Sequence, residues 1–279
     1  MPQLSAWAPG KLMRFFVWSK PKVGKTYGAA TFPRPNFLSF DPNGISTLRG
    51  RDFLTNHRDL VKDIRYEVFT EKSRNAKGVI TTHTAFDEGC AYFDACMKPT
   101  GGKWKGENVG PDQFDTWVLD TCTTLSEVAM NKAAFLLGTS QFKNLSQTHK
   151  QALETGLLVP KIQDYGAERS LVEQFVQMLL DTDKHVIILA HDREELNDAG
   201  AVVARTPLLT GKSVAVVGAK FDEIWMLKAE KSGPNMVRKL VTESDGVNMV
   251  GSRYGIRNGT AWNYTAIMNE LNEIAKIQS

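Results

Sequence analysis

Ser19, Gly24, Lys25 and Thr26 lie in LMRFFVWSKPKVGKT, residues 12–26, where an apolar run gives way to a short polar loop and a Gly-Lys-Thr triplet. These residue types at this spacing suit a polyphosphate. A loop that curls into a helix N-terminus turns several backbone N–H groups toward one anion and adds the positive end of the helix dipole. Gly24 lets the main chain come close, Lys25 brings a point charge to the outer phosphates, and the Thr26 hydroxyl suits the coordination sphere of Mg2+. Ser19 stands where the pattern G-x-x-x-x-G-K-[ST] has its first glycine. The expected nucleotide contacts are Ser19, Lys20, Pro21, Lys22, Val23, Gly24, Lys25, Thr26 and Tyr27; the competing reading is a Lys-rich surface turn.

A phosphate-binding loop needs a second acid for the metal, at the end of another buried strand. Asp120 closes the apolar run WVLD and precedes a helix-like segment, so Thr26 and Asp120 are the expected metal pair. An Asp in that position also serves commonly as a helix cap. Thr121 follows it, so no Glu stands directly after Asp120. His191 ends a second apolar strand, VIILA, where open α/β sheets place their ligand crevice. A neutral imidazole there can hydrogen-bond the terminal phosphate; the plainer reading is a structural histidine.

The elements that must position these groups alternate along the chain. Strand-like runs occupy 14–18, 37–41, 65–69, 117–120, 185–190, 214–217, 221–228 and 236–242, and helix-like periodicity occupies 84–97, 124–137, 166–181 and 262–277. The alternation predicts a mostly parallel sheet flanked by helices, with an antiparallel edge near the C-terminus. Residues 98–113, rich in Gly and Lys, and residues 192–213 read as loops. With 279 residues, 42% of them hydrophobic, one full α/β core is expected over 1–279. A net charge of +3 announces no overall polyanion affinity, and Cys90, Cys96 and Cys122 read as reduced thiols. No apolar run reaches the ~18 residues of a membrane span, so a cytoplasmic protein without membrane attachment is expected.

The order Ser-x-Pro-x-x-Gly-Lys-Thr, FPRPNFLSFDPNG, WVLDTCTTL, IQDYGAE, VIILAHD, PLLTGK, FDEIWML and SRYGI resembles the phage-encoded RecA-like ATPases of the single-strand-annealing recombinase type. The likeness covers roughly residues 11–257. It implies a RecA-like P-loop NTPase core, ATP and Mg2+ as ligands, single-stranded DNA as partner, assembly into rings or short filaments, and a single-strand-binding protein as a further partner. FDPNG lacks the Glu expected near the end of the second strand.

The resemblance also implies roles. Asp41 is the strand-end acid placed to orient the attacking water, a role that competes with simply opening the DPNG turn. Lys25, Asp41, Asp120 and His191 are thus the catalytic candidates. DNA-facing segments correspond to 139–161, with Lys143, Lys150 and Lys161, and to 192–213, with Arg193, Arg205 and Lys212. In 98–113, Lys98, Lys103 and Lys105 surround Trp104, an accessory DNA contact or a plain insertion. Lys228, Arg238 and Lys239 are candidates for a finger reaching a neighbouring subunit's nucleotide. Two other function classes stay open: a P-loop small-molecule kinase, and a nucleotide-dependent assembly module with little hydrolysis.

Overall fold

The structure is a computed structural model that describes residues 12–71, 83–139, 162–211, 213–233 and 235–278. The strands are β1 (Arg14–Trp18), β2 (Pro35–Ser39), β3 (Arg65–Val68), β4 (Gly102–Trp104), β5 (Glu107–Val109), β6 (Thr116–Asp120), β7 (His185–Ala190), β8 (Asp192–Leu196), β9 (Val202–Pro207), β10 (Glu223–Ser232), β11 (Asn235–Val241) and β12 (Gly251–Ser252). The α-helices are α1 (Lys25–Ala29), α2 (Arg51–Asn56), α3 (Ala85–Met97), α4 (Cys122–Thr139), α5 (Ile162–Leu180), α6 (Ser213–Gly218) and α7 (Tyr264–Gln278).

The main sheet has the order β11-β10-β1-β7-β6-β2-β3, with β12 also on β10. From β10 to β3 every neighbouring pair is parallel, while β11 and β12 run antiparallel to β10. This is the mostly parallel sheet with an antiparallel edge that the alternation predicts. Strands β1, β2, β6 and β7 are buried along nearly their whole length, because helices cover both faces. Alternate residues go to opposite sides. Phe16, Trp18, Trp117, Leu119 and Ile188 pack with α3, α4 and α5, whereas Phe15, Val17, Val118, Ile187 and Trp225 pack with α1 and α7.

Strand order matters to function here. Strand β7 sits between β1 and β6, so residues at its C-terminal end lie between the loop after β1 and the acid that ends β6.

Three expectations need correction. Residues 214–217, VAVV, are helical within α6, not a strand: Ser213 and Val217 are buried while Ala215 between them is exposed, a helical period that β-branched composition hides. Segment 98–113 contains the antiparallel hairpin β4–β5, turned at Lys105 and Gly106 with φ of 48° and 88°. Positive φ at both central residues fits a type I′ turn, the one whose twist suits adjoining strands. Residues 192–213 likewise contain the hairpin β8–β9, whose exposed residues on both faces left no apolar alternation to read.

Candidate functional site

The loop between β1 and α1 is fixed at both ends. The Ser19 N–H donates to Ala190 O at 3.2 Å, extending the β1–β7 ladder by one residue. Ser19 is buried and lies outside the positive-φ region, so this position needs no glycine. The left-handed residues are instead Lys22, φ 66°, and Gly24, φ 107°. At Gly24 glycine is required twice over, since a Cβ would also lie 2.2 Å from Arg238 Nε.

Lys25 points back into its own loop. Its Nζ donates to Ser19 O at 2.8 Å, Lys20 O at 3.1 Å and Ser19 Oγ at 3.3 Å, and lies 3.4 Å from His191 Nδ1. Burial lowers its pKa to about 8, against the opposing pull of the Asp120 and Asp192 carboxylates. An ammonium only donates, so the tautomer of His191 with its proton on Nε2 is the one that avoids two donors facing each other at Nδ1. Burial and the Lys25 charge both lower the His191 pKa, consistent with a neutral ring.

The Thr26 hydroxyl donates to Asp120 Oδ2 at 2.7 Å, and both groups are buried. Burial raises the Asp120 pKa to about 6, partly offset by the Thr26 bond and by Lys25, while Asp41 adds to the rise. The Asp120–Thr121 peptide is cis. Thr121 then caps α4, its Oγ1 accepting from Thr124 N at 3.2 Å while Thr124 Oγ1 accepts from Thr121 N at 3.2 Å. Within the same turn, Thr123 Oγ1 accepts from His191 N at 3.0 Å and donates to Leu208 O at 2.9 Å, tying the end of β7 to α4 and to the exit of β9.

Asp41 opens its turn and lies near the site. Its Oδ1 accepts from Asn43 N at 2.9 Å, a turn-opening bond, and its charge is felt at both Asp120 and His191. Lys25, Asp41, Asp120 and His191 are therefore brought together. Of the remaining loop residues, Lys20 pairs with Glu194 on β8 at 3.0 Å, Pro21 and Lys22 are exposed, Val23 packs on the α1 side, and Tyr27 carries the Arg238 guanidinium 4.0 Å over its ring.

The candidate DNA residues fare differently. Lys143, Lys150, Lys161 and Lys212 lie outside the described residues. Arg193 and Arg205 pair with Glu195 at 3.9 Å and Glu194 at 3.1 Å. Trp104 is half-buried, with Phe69 and Tyr92 edge-on to it and Lys105 over its ring. Among the finger candidates, Arg238 is held in its own subunit by Tyr27 and by Asp52 at 3.3 Å, Lys239 pairs with Glu230 at 2.9 Å, and Lys228 is exposed.

The donor set fits the expected ligands. One hydroxyl and one carboxylate, both hard oxygens, form the sparse protein contribution that Mg2+ accepts when phosphate and water complete its shell. The left-handed glycine, the buried lysine and the helix start beside them suit the phosphates. Sequence reading missed Thr123, Glu194 and the cis position of Arg238, as well as Trp262, whose Nε1 donates to Lys25 O at 2.9 Å. No local pattern marks any of them.

The sequence profile of the family described as "AAA domain" matches residues 11–254. The chain belongs to the AAA domain family. It is thus a P-loop ATPase-like domain, and the match spans every element from β1 to β12. No curated protein matches the sequence. Solved structures similar to this AAA domain include a KaiC-like protein from Pyrococcus horikoshii OT3 (10% identity, 85% of this chain and 80% of that one, TM-score 0.40). Others are the flagellar accessory protein FlaH from Methanocaldococcus jannaschii (8%, 88% and 83%, 0.34) and the RadB recombinase (12%, 84% and 81%, 0.38). No helix among the described residues of the AAA domain is long and apolar enough to cross a membrane.

Proposed function

We propose that this protein is a single-domain, Mg2+-dependent ATPase whose nucleotide state governs binding to single-stranded DNA in phage recombination, annealing or repair. The observation that supports the ATPase reading is the 2.7 Å bond from Thr26 to Asp120, which joins beside Lys25 the hydroxyl and the carboxylate that we read as metal ligands.

The loop N–H groups from Lys20 to Thr26 and the Lys25 ammonium hold the polyphosphate. Lys25 releases its contacts to Ser19 and Lys20 carbonyls in exchange for phosphate oxygens, a stronger charge-assisted partner. Thr26 and Asp120 would hold Mg2+, which when bound would supply positive charge against the phosphate oxygens. Asp41 orients the attacking water and accepts its proton, in the role such acids take in phosphoryl transfer. His191, neutral and beside Lys25, hydrogen-bonds the terminal phosphate and passes its loss through Thr123 to β8–β9.

Support for the DNA partner comes from the motif order quoted above rather than from free cations on β8–β9, whose two arginines face glutamates. Assembly into a ring or short filament, and a single-strand-binding protein as partner, rest on the same resemblance. The deciding experiment measures ATP turnover by wild type and Lys25→Ala, with and without single-stranded DNA and with candidate small phosphate acceptors. DNA-stimulated turnover abolished in the variant is the expected result. Transfer to a small acceptor would establish a kinase instead, and binding without turnover an assembly module.

A further inference from the structure

We propose that, with the Ser19–Thr26 loop read as a polyphosphate site, Glu168 is a positioning residue for it. Through Ser126 and Thr210 it fixes the chain at Leu208–Thr210, and through that chain the end of β7 that carries His191.

Three segments far apart in sequence meet at this carboxylate. Glu168 closes IQDYGAE on α5, Ser126 follows WVLDTCTTL on α4, and Thr210 belongs to PLLTGK between β9 and α6. The Ser126 hydroxyl donates to Glu168 Oε1 at 2.5 Å and lies 2.8 Å from Thr210 Oγ1. These contacts span 42 and 84 residues of chain, so only the fold makes them.

Helix α4 grips the chain after β9 at two points. Thr123 and Ser126 stand three residues apart, hence on one face of the helix. Thr123 Oγ1 bonds Leu208 O at 2.9 Å and Ser126 Oγ bonds Thr210 Oγ1. Leu208 also donates its N–H to His191 O at 2.7 Å, while the His191 N–H goes to Thr123 Oγ1. Both backbone groups of His191 are thereby held by Leu208 and Thr123, the pair that the Ser126–Thr210 contact keeps in register.

Glu168 gives that contact a direction. Two hydroxyls alone can hydrogen-bond either way round, but a carboxylate only accepts. With the Ser126 proton committed to Glu168, Thr210 must be the donor to Ser126, and the chain of three groups has one arrangement. The 2.5 Å separation is that of a charge-assisted O–H···O bond. Packing alone does not explain a carboxylate here. Glu168 is 0% exposed, and its Oε2 has no hydrogen-bond partner among the described residues. Burial pushes its pKa above the usual carboxylate range, and the Ser126 and Thr210 hydroxyls only partly oppose the rise. An apolar side chain of similar volume would fill the space without that cost.

Glu168→Leu, Glu168→Gln and Thr210→Val, compared with wild type in the full chain, test this. Leu removes the acceptor and Val removes the far hydroxyl, whereas the Gln amide oxygen still accepts from Ser126. Amide hydrogen exchange without nucleotide should show the His191 and Leu208 N–H groups protected about five- to tenfold less in Glu168→Leu and Thr210→Val, with β1 and β6 unchanged. In MgATP turnover the same two variants should lose about tenfold in kcat while KM stays within about threefold, because misplacing His191 affects the step and not the phosphate grip. Glu168→Gln should keep both readouts within about threefold of wild type. A residue that only packs would give the reverse order, with Leu tolerated best. Thermal melting identifies a variant that fails to fold, and since the Leu and Val changes lie on different elements, either one carries the test. Unchanged exchange or unchanged kcat in the folded variants, or an equal loss in Glu168→Gln, overturns the role of Glu168 and leaves the phosphate loop standing. Wild type without ATP turnover overturns the ATPase reading, and the role of Glu168 in it, whatever the exchange shows.

Discussion

Trp262 and Lys25 are joined by a hydrogen bond of 2.9 Å from the indole Nε1 to the lysine carbonyl, and the same ring lies so close to Gly28 that a Cβ there would come within 2.0 Å. The first turn of α1 is thereby held from outside as well as by its own bonds. That matters because α1 has only 5 residues, too few to be stable alone.

Gly28→Ala should therefore do damage beyond its size. The indole is buried among Phe32 and Trp225 and has nowhere to retreat, so overpacking should lower stability by roughly 1–3 kcal/mol. Urea unfolding with and without MgATP checks this. The variant should also lose part of the nucleotide's stabilising effect, since the strain falls on the turn that carries Lys25 and Thr26.

Turnover should follow a bell in pH. Asp120, pushed up to about 6, must be ionised to hold the metal, and Lys25, lowered to about 8, must be charged to hold phosphate. The profile of kcat/KM, which reports the free enzyme, should rise as pH passes about 6 and fall as it passes about 8. A flat profile from pH 6 to 9 would remove one or both groups from these roles.

The same two groups cost stability near neutral pH. Asp120 has a folded value above its ordinary 3.8, so its favourable contribution is complete below that pH and is lost as pH rises through about 6. Lys25 has a folded value below its ordinary 10.5, so its penalty is present below about 8 and is relieved as pH climbs toward 10.5. Asp120→Asn should abolish most Mg2+-dependent turnover yet raise the melting temperature at pH 7 by about 2–4 °C, equivalent to about 1 kcal/mol. Loss of the counter-charge to Lys25 keeps the gain from being larger. At pH 4.5 the gain should shrink, and scanning calorimetry at both pH values measures it.

His191→Ala should separate nucleotide from DNA. Single-strand binding, followed by fluorescence anisotropy, should be stronger with a non-hydrolysable ATP analogue in wild type, and should weaken with salt at a log-log slope near ~0.7 per contacted phosphate. By linkage, DNA should tighten analogue binding to the same degree. The variant should bind analogue nearly as well and lose the coupling. Thr123→Val should give the same loss, because it cuts the bonds from His191 N and to Leu208 O together. Salt-sensitive binding absent in every nucleotide state would remove DNA from the proposal.

What the sequence disclosed was whatever is contiguous. The loop from Ser19 to Thr26, the strand ending in Asp120 and the strand ending before His191 each carry their signal within a few residues, and β1 and β7 appear with their expected bounds. Strand β2 starts two residues before its expected position, because Pro35 can open a strand without donating to the ladder. Thr123, Arg238 and Trp262 were illegible for a common reason: each acts through a partner brought near only by the sheet order. Arg238 was considered solely as a reach toward another subunit, since nothing local tells that β11 folds back over Tyr27. The Lys105-Gly106 turn was readable in principle, but one glycine among several in 98–113 gave no register.

The contacts that surround Lys25 and Thr26 join positions 94, 166 and 237 residues apart. A ribosome makes the phosphate loop 237 residues before the indole that braces it. Until Trp262 is made, the first turn of α1 lacks this outside brace, which makes nucleotide a poor early template for folding. Competence to bind should arrive late and abruptly, when the segment containing Trp262 docks against Gly28. A cell that stalls translation before that segment would hold a chain with its apolar strands made and its ligand grip still open.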